Sequence, residues 1–264
     1  MPSVSNIAVG ALVAGAAASK ARHGMNESIA RLSTGMRSVY GGDAAGQSVA
    51  NTLEARSKSW AVAARNAEDG ISAAQVSESA LLEIASIAQR IRELGIQADN
   101  AALLSTTNDV AALNSEATLL FDQIDAIVAG TTFNGVALLA ASDTTHAIGV
   151  TDGGGTVTLQ TGGTITAVKA HTKADGADTT ADTTLKEVAI SLGNVAAGIA
   201  ALKARQAVAY SASANLAAAA ARIEDTDFAK ETANLTKNSV LNQSAMAMVA
   251  QANQAQSAIL AVLQ

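Results

Sequence analysis

Residues 185–223, LKEVAISLGNVAAGIAALKARQAVAYSASANLAAAAARI, carry the strongest periodicity in the sequence. Apolar or small residues recur there in alternating steps of three and four, the spacing that keeps one face of an α-helix against a partner helix. The positions on this seam are Leu185, Val188, Leu192, Val195, Ile199, Leu202, Gln206, Ala209, Ser213, Leu216, Ala220 and Ile223. The stretch therefore predicts one long helix within a helical bundle.

Comparable seams lie on both sides of this stretch. They occupy residues 1–40, 44–100 and 109–129, and another follows residues 224–227. The helix over 44–100 would be about 85 Å long at the usual rise of 1.5 Å per residue. A globular domain rarely contains such a helix, so these patterns predict a rod-shaped bundle.

Polar and glycine-containing stretches separate the predicted helices. Gly41 and Gly42 interrupt the first pattern, and Asp43 can cap the helix that follows. Residues 104–108, LSTTN, indicate a turn with Thr107 or Asn108 as the next N-cap. Residues 224–227, EDTD, indicate a break with a cap. Each break precedes a new seam, and for residues 44–223 we expect an intramolecular helical bundle.

Residues 130–184 are richer in Gly, Thr and Asp than the rest of the chain. Two alternating segments, 147–150 and 156–159, flank the turn sequence DGGG at 152–155, which predicts a β-hairpin. We expect an exposed loop over 172–184. The predicted fold is mainly α: a long, coiled-coil-like helical rod formed by the N- and C-terminal segments, with a small β-hairpin region in the middle.

The composition supports close-packed helices and excludes some classes of function. Hydrophobic residues make up 49% of the chain but aromatic residues only 2%, which suits Ala-rich helix packing better than a globular core. The net charge of −6 argues against nucleic-acid binding, and the absence of cysteine excludes disulfides and thiolate metal sites.

The two ends of the chain differ from the middle because residues 1–19 and 239–264 contain no charged side chain. A solvated helix normally keeps charges on its outer face, so these helices are expected to be buried among copies of the same chain. The many amides of 239–264 argue against membrane insertion of that segment. The predicted subunit-interface residues are Val4, Ile7, Ala11, Ala14, Leu241, Ala245, Met248, Ala252, Ile259 and Val262.

Short motifs along both ends give the chain a specific resemblance to bacterial flagellin. They are RLSTG (31–35), DAAGQSVAN (43–51), ARNAEDGIS (64–72), QRIRELGIQ (89–97), TFNG (132–135), ARIEDTDF (221–228) and AQANQ (250–254). Each motif is weak alone, but their order is highly specific. One departure from the family pattern is Gly41-Gly42, where a charged pair often stands.

The resemblance implies a structural subunit that polymerises into the extracellular flagellar filament for swimming. It implies an inner polymerisation domain of residues 1–42 and 226–264. It further implies a helical rod domain of 43–139 and 185–225, and a short hairpin and variable region over 140–184. The hook–filament junction protein is the alternative within this class, and a secreted coiled-coil adhesin is a more distant one.

The resemblance also implies partners beyond the chain itself. These are a flagellar export chaperone and secretion apparatus, the hook-associated proteins and the filament cap protein. No basic residue precedes Lys20, so the N-terminus does not read as a secretory signal, and we expect export without cleavage.

One further surface follows from the resemblance. Arg90, Leu94 and Glu116 match family positions recognised by the innate flagellin receptor of animals, and Gln97 lies on the same helical face. Packing against a neighbouring subunit explains these residues equally well, and both interpretations stay open.

The sequence contains no pattern that indicates catalysis or a cofactor. There is no nucleophile elbow and no phosphate-binding loop, and His23, His146 and His171 are scattered without metal-ligand spacing. A flagellin-like enzyme would need a catalytic domain in the middle, and residues 140–184 are too short for one. We therefore expect the chain not to be an enzyme.

Overall fold

The computed structural model describes residues 3–39, 41–100, 103–105, 108–140, 142–163, 165 and 173–263, without the side chains of 3–8 and 259–263. The elements are α1 Ser3–Thr34, α2 Ala44–Ala98, α3 Asp109–Gly130, β1 Thr132–Phe133, β2 Val136–Ala137, β3 Thr144–Gly149, β4 Thr156–Gly162, α4 Ala177–Glu224 and α5 Phe228–Leu263. The prediction of a mainly helical chain with a small β region is confirmed.

The chain forms two compact units, which are described separately. Unit 1 contains residues 1–55 and 216–264, and unit 2 contains residues 56–215. Helices α2 and α4 contribute to both units, whereas α1 and α5 belong to unit 1 alone.

The core of unit 2 draws mostly on the predicted helical seams, but Leu94, Leu139, Val150 and Leu159 join it from outside them. All eleven of the largest fully buried side chains in the described part of the chain belong to this unit. They are Leu81, Ile84, Ile91, Leu94, Ile124, Leu139, Leu159, Leu202, Val150, Val188 and Val195. Full burial of one such side chain contributes about 1.5–3 kcal/mol, so unit 2 has a substantial hydrophobic core.

Two antiparallel hairpins follow α3 in unit 2. The predicted hairpin is confirmed as β3 paired with β4, and Leu159 of β4 is fully buried. The shorter pair, β1 with β2, turns at Asn134 and Gly135, which both have positive φ angles of 51° and 77°. An Asn-Gly pair tolerates this conformation, so the TFNG motif has a local structural cause.

The predicted exposed loop over 172–184 is wrong from Ala177 onward, because α4 begins there. Ala177 and Ala181 are buried in the core, and the hydroxyl of Thr184 bonds to the Thr180 carbonyl at 3.0 Å. Gly95 of α2 lies against the backbone of Asp178, where a side chain at position 95 would collide. Packing against α2 therefore overrides the weak helix propensity of this Thr-rich segment.

The first helix ends earlier than its seam predicts. Residues 35–39 lie outside α1, because Gly35 adopts a φ of 73° and donates its N–H to the Arg31 carbonyl at 2.8 Å. This is the glycine-terminated helix end that the left-handed conformation allows. Met36, which lies within the first predicted seam region (1–40), instead forms an isolated antiparallel bridge with Asp225.

The caps predicted at Asp43 and within 224–227 are confirmed, whereas Asn108 precedes α3 without a side-chain capping bond and Thr107 lies outside the described residues. The Asp43 carboxylate accepts the Gly46 N–H at 2.8 Å at the start of α2. The Asp227 carboxylate accepts the N–H groups of Ala229 and Lys230 at 3.0 and 3.1 Å at the start of α5. These bonds satisfy backbone donors that the first turn of a helix leaves unpaired.

Candidate assembly surface

Helices α1 and α5 of unit 1 run antiparallel and are joined by small residues. Gly24 lies against the side chain of Asn238, and Met36 bridges Asp225, so residue numbers rise along α1 as they fall along α5. The buried hydrophobic residues described in unit 1 are all alanines: Ala18, Ala21, Ala50, Ala220 and Ala245. Small side chains allow the two helices to approach closely, but each removes little apolar surface from water.

An ion pair between half-buried Arg31 and buried Glu231 and a short backbone bridge fix the register of helices α1 and α5. Arg31 Nη1 lies 3.6 Å from Glu231 Oε1, and Glu231 is only 6% exposed. Gly35 accepts the Thr226 N–H at 2.8 Å, and the Arg37 N–H bonds to the Glu224 carbonyl at 2.7 Å. A shift of α1 along α5 would leave the buried Glu231 carboxylate without its charged partner, which is costly.

The predicted interface residues fall into three groups. Ala245 is buried between the helices, and Ala11, Ala14 and Ala252 are half-buried. Leu241 and Met248 are exposed, at 49% and 59%. Val4, Ile7, Ile259 and Val262 lie in α1 or α5, but their side chains are outside the described ones.

Further exposed apolar side chains lie on the outer faces of these helices, and the seam pattern does not identify them. On α1 they are Val9, Leu12 and Val13; on α5 they are Val240 and Met246. They lie off the seam, so only the lack of charges in the segments 1–19 and 239–264 signals them. The outer surface of unit 1 is therefore apolar as well as uncharged near the chain ends.

The apolar residues of α5 surround the helix. At 3.6 residues per turn, Val240, Met248 and Met246 point in directions about 0°, 80° and 240° around its axis. Ala245, the buried residue, points at about 140°. Because α1 covers a single side, Val240, Met246 and Met248 are left exposed in the isolated chain.

The second predicted surface lies in unit 2 and is partly internal. Arg90 is exposed and pairs with Glu116 at 2.7 Å and with Glu93 at 3.0 Å. Gln97 is also exposed. Leu94, in contrast, is 1% exposed and packs in the core, so it supports this surface from beneath. The hydrogen bonds to Glu116 and Glu93 raise the pKa of the Arg90 guanidinium.

Comparison with known families covers nearly the whole chain. The bacterial flagellin N-terminal helical region matches residues 6–144, and the bacterial flagellin C-terminal helical region matches residues 176–263. The flagellin of Halalkalibacterium halodurans is 35% identical over 247 residues, which cover 88% of this chain and 89% of the relative.

Two further flagellins are also similar to this chain, one over nearly its whole length and one over about half of it. The flagellin of Bacillus subtilis is 33% identical over 275 residues, covering 88% of this chain and 90% of the relative. The flagellin of Salmonella typhimurium is 40% identical over 136 residues, covering 51% of this chain and 27% of the relative.

Proposed function

Because this chain belongs to the bacterial flagellin family and is a structural subunit of the flagellar filament, we propose that unit 1 is the part that joins one copy to the next. The named relatives are flagellins, so the hook–filament junction protein is not favoured. Polymerisation with itself into an extracellular filament follows from the family; which residues make the contact is the proposal.

The observation that carries the proposal is the apolar circumference of α5. A helix with a single partner needs one apolar side, and the remainder is normally charged. Here Val240, Met246 and Met248 are exposed in widely different directions, and no residue from 239 to 264 is charged. One partner helix covers one side, so further copies are needed to cover the rest.

The same helices gain little stability from each other within one chain. Their described contact buries alanines, whereas unit 2 buries eleven large aliphatic side chains. Ordering one residue costs about 1–2 kcal/mol of backbone entropy, which alanine burial alone does not offset. We therefore propose that α1 and α5 become firmly ordered only when neighbouring subunits surround them.

Limited proteolysis of the monomer is expected to remove about 40 residues from each end and to leave a resistant middle. The reason is that the terminal helices lack their partners in the monomer, while unit 2 keeps its core. Mass spectrometry of the fragments over time measures this. Filaments of the same protein serve as the control, in which both ends should resist cleavage.

Protease-resistant ends in a verified monomer would contradict this part of the proposal. Electron microscopy after seeding tests the larger claim, since monomers should elongate short filament fragments into long filaments. Failure of the wild-type chain to elongate any seed would contradict the assignment of unit 1 as the joining element.

The domain organisation follows the same logic. We propose that residues 1–42 and 226–264 act as the inner polymerisation domain and that residues 43–139 and 185–225 form the rod domain. The proposed hairpin and variable region, 140–184 in the sequence, is shortened at its end because residues 177–184 belong to α4. Cross-linking between copies tests the division, because contacts among the terminal segments should dominate over contacts from 140–184.

Export is proposed to proceed through the flagellar secretion apparatus without cleavage of the N-terminus. An export chaperone would cover the C-terminal helix beforehand, because Leu241 and Met248 are exposed and would otherwise promote premature association. Intact-mass measurement of protein sheared from cells tests this route, and a chain starting well after residue 2 would contradict it.

Other partners are proposed from the family alone. The hook-associated and cap proteins would contact the same terminal helices at the two extremities of the filament. The innate flagellin receptor of animals would contact the exposed surface at Arg90, Gln97 and Glu116, with Leu94 as its support. A receptor reporter assay on Arg90→Ala tests the last contact, and unchanged signalling would exclude it.

A further inference from the structure

Unit 1 is neutral as a whole but its charges are separated along the chain. It contains seven Lys and Arg residues and seven Asp and Glu residues. Residues 1–26 and 232–264 contain Lys20, Arg22 and Lys237 and no acidic residue. The other part of the unit contains four basic and seven acidic residues. One part therefore carries a formal charge of +3 and the other of −3, with histidine neutral.

The basic part is not neutralised within the chain. In the acidic part, Arg31 pairs with Glu27 and Glu231, and Arg37 pairs with Asp43. Among the described residues, by contrast, Lys20, Arg22 and Lys237 form no ion pair. The positive charge is thus available to a group from outside the chain.

Two of these basic residues, Lys20 and Lys237, line a groove between α1 and α5. The groove has a volume of about 580 Å³, and its polar lining residues are Lys20, His23, Glu27, Lys237 and Asn238. Its remaining walls are mostly small residues, including Gly24. Lysine ammonium groups and an amide donor beside a shallow floor suit a carboxylate on a protruding segment. We call this feature the basic groove.

The acidic counterpart is the turn between α4 and α5, residues 224–227, which we call the acidic turn. Asp225 is exposed, and its carboxylate forms no hydrogen bond or ion pair within the described part of the chain. Lys237 lies ten residues beyond Asp227, a distance of about 15 Å along the axis of α5. Lys237 therefore cannot reach the acidic turn of its own chain. Contact between them requires a second copy.

We propose that the basic groove of one subunit receives the acidic turn of a second copy, and that this contact sets the axial stagger between neighbouring subunits. The inference rests on the proposed role of unit 1 in assembly. Two copies aligned without an axial shift would place the basic part of one unit 1, with charge +3, beside the basic part of the other. An axial shift instead brings the basic part of one copy against the acidic part of the next, with charge −3. Because groove and turn are different surfaces, the contact is head-to-tail and can extend without closing, as a filament requires.

The charge contact adds what the apolar faces cannot supply. Apolar burial is non-directional and is similar at many positions along an Ala-rich helix. Opposite charges separated along the unit favour one register and penalise the others, since like charges brought together repel. The apolar surface thus provides attraction, and the basic groove with the acidic turn provides position.

Charge reversal in the full-length chain tests the proposal. Lys237→Glu should raise the critical concentration for elongation by about tenfold or more, because it places two like charges in the contact. Lys203→Glu, a reversal of an exposed lysine on α4 in unit 2, is the matched control and should change it little. The double variant Lys237→Glu with Asp225→Lys should return the critical concentration toward the wild-type value.

The milder variant Lys237→Gln separates a lost contact from a misfolded subunit, since it removes the charge but keeps helix propensity. It should raise the critical concentration by less than Lys237→Glu does, with the protease-resistant middle unchanged. Elongation of Lys237→Glu at the wild-type critical concentration would overturn the proposal, and so would a double variant that is not restored. Both outcomes leave wild-type elongation, and hence the proposed function, intact.

Discussion

Met248→Asp is expected to abolish elongation of filament seeds while leaving the folded unit 2 intact. Met248 is 59% exposed in the single chain, so the substitution should cost little before assembly. If neighbouring subunits cover α5, the carboxylate is buried without a partner, which costs several kcal/mol. Electron microscopy and sedimentation after seeding measure the loss, and circular dichroism of the monomer verifies unit 2.

Gly153→Asp is the matched control for this prediction. It introduces the same charge in an exposed turn of unit 2, where a side chain has open space. It should elongate seeds as the wild-type chain does. Normal filaments from Met248→Asp would contradict the assignment of α5 as an assembly helix. Loss of filaments from both variants would show that an added negative charge anywhere in the chain prevents assembly. The same experiment applies to Ile7→Asp and Ile259→Asp.

Leu202→Ala is expected to destabilise unit 2 by roughly 2–5 kcal/mol, the usual cost of a large-to-small change in a core. Leu202 is fully buried, and its Cδ1 lies close to Gly70 of α2. For a unit of this size such a loss lowers the Tm by about 4–20 °C. Thermal unfolding followed by circular dichroism measures the shift.

Lys203→Ala is the control on the adjacent position of the same helix. Lys203 is exposed, and a surface substitution of this kind usually changes stability by at most about 0.5 kcal/mol. Similar Tm shifts for both variants would show that the buried face of α4 lies elsewhere.

Most of the helical framework could be predicted because a seam depends only on the spacing of apolar residues. The seam of 185–223 and the structure agree at Val188, Val195 and Leu202, which are all buried. The start of α4 at Ala177 could not be predicted, because it depends on close packing of α2 at Gly95. The only sequence signal for the end of α1 is Gly35, and this signal is weak because other glycines, such as Gly24 and Gly70, lie inside helices.

The sequence could predict which segments form the candidate assembly surface, but not which of their side chains are exposed. The absence of charge in 1–19 and 239–264 identifies the segments, since composition can be counted without coordinates. Which faces stay uncovered depends on where α1 lies against α5, so Leu12 and Met246 emerge only from the structure. For the same reason Leu94 reads as a surface residue in the sequence, although the structure buries it.

The short backbone bridge at residues 35–37 and 224–226 has a consequence for how such chains can change in length. Its two hydrogen bonds and the Met36–Asp225 pairing join the segment after α1 directly to the segment between α4 and α5. The Arg31–Glu231 ion pair links α1 to α5 near this bridge. The bridge thus sets the register of α1 against α5. This register does not depend on the number of residues between positions 37 and 224. A change in the length of the middle of the chain therefore need not alter the register of the terminal helices.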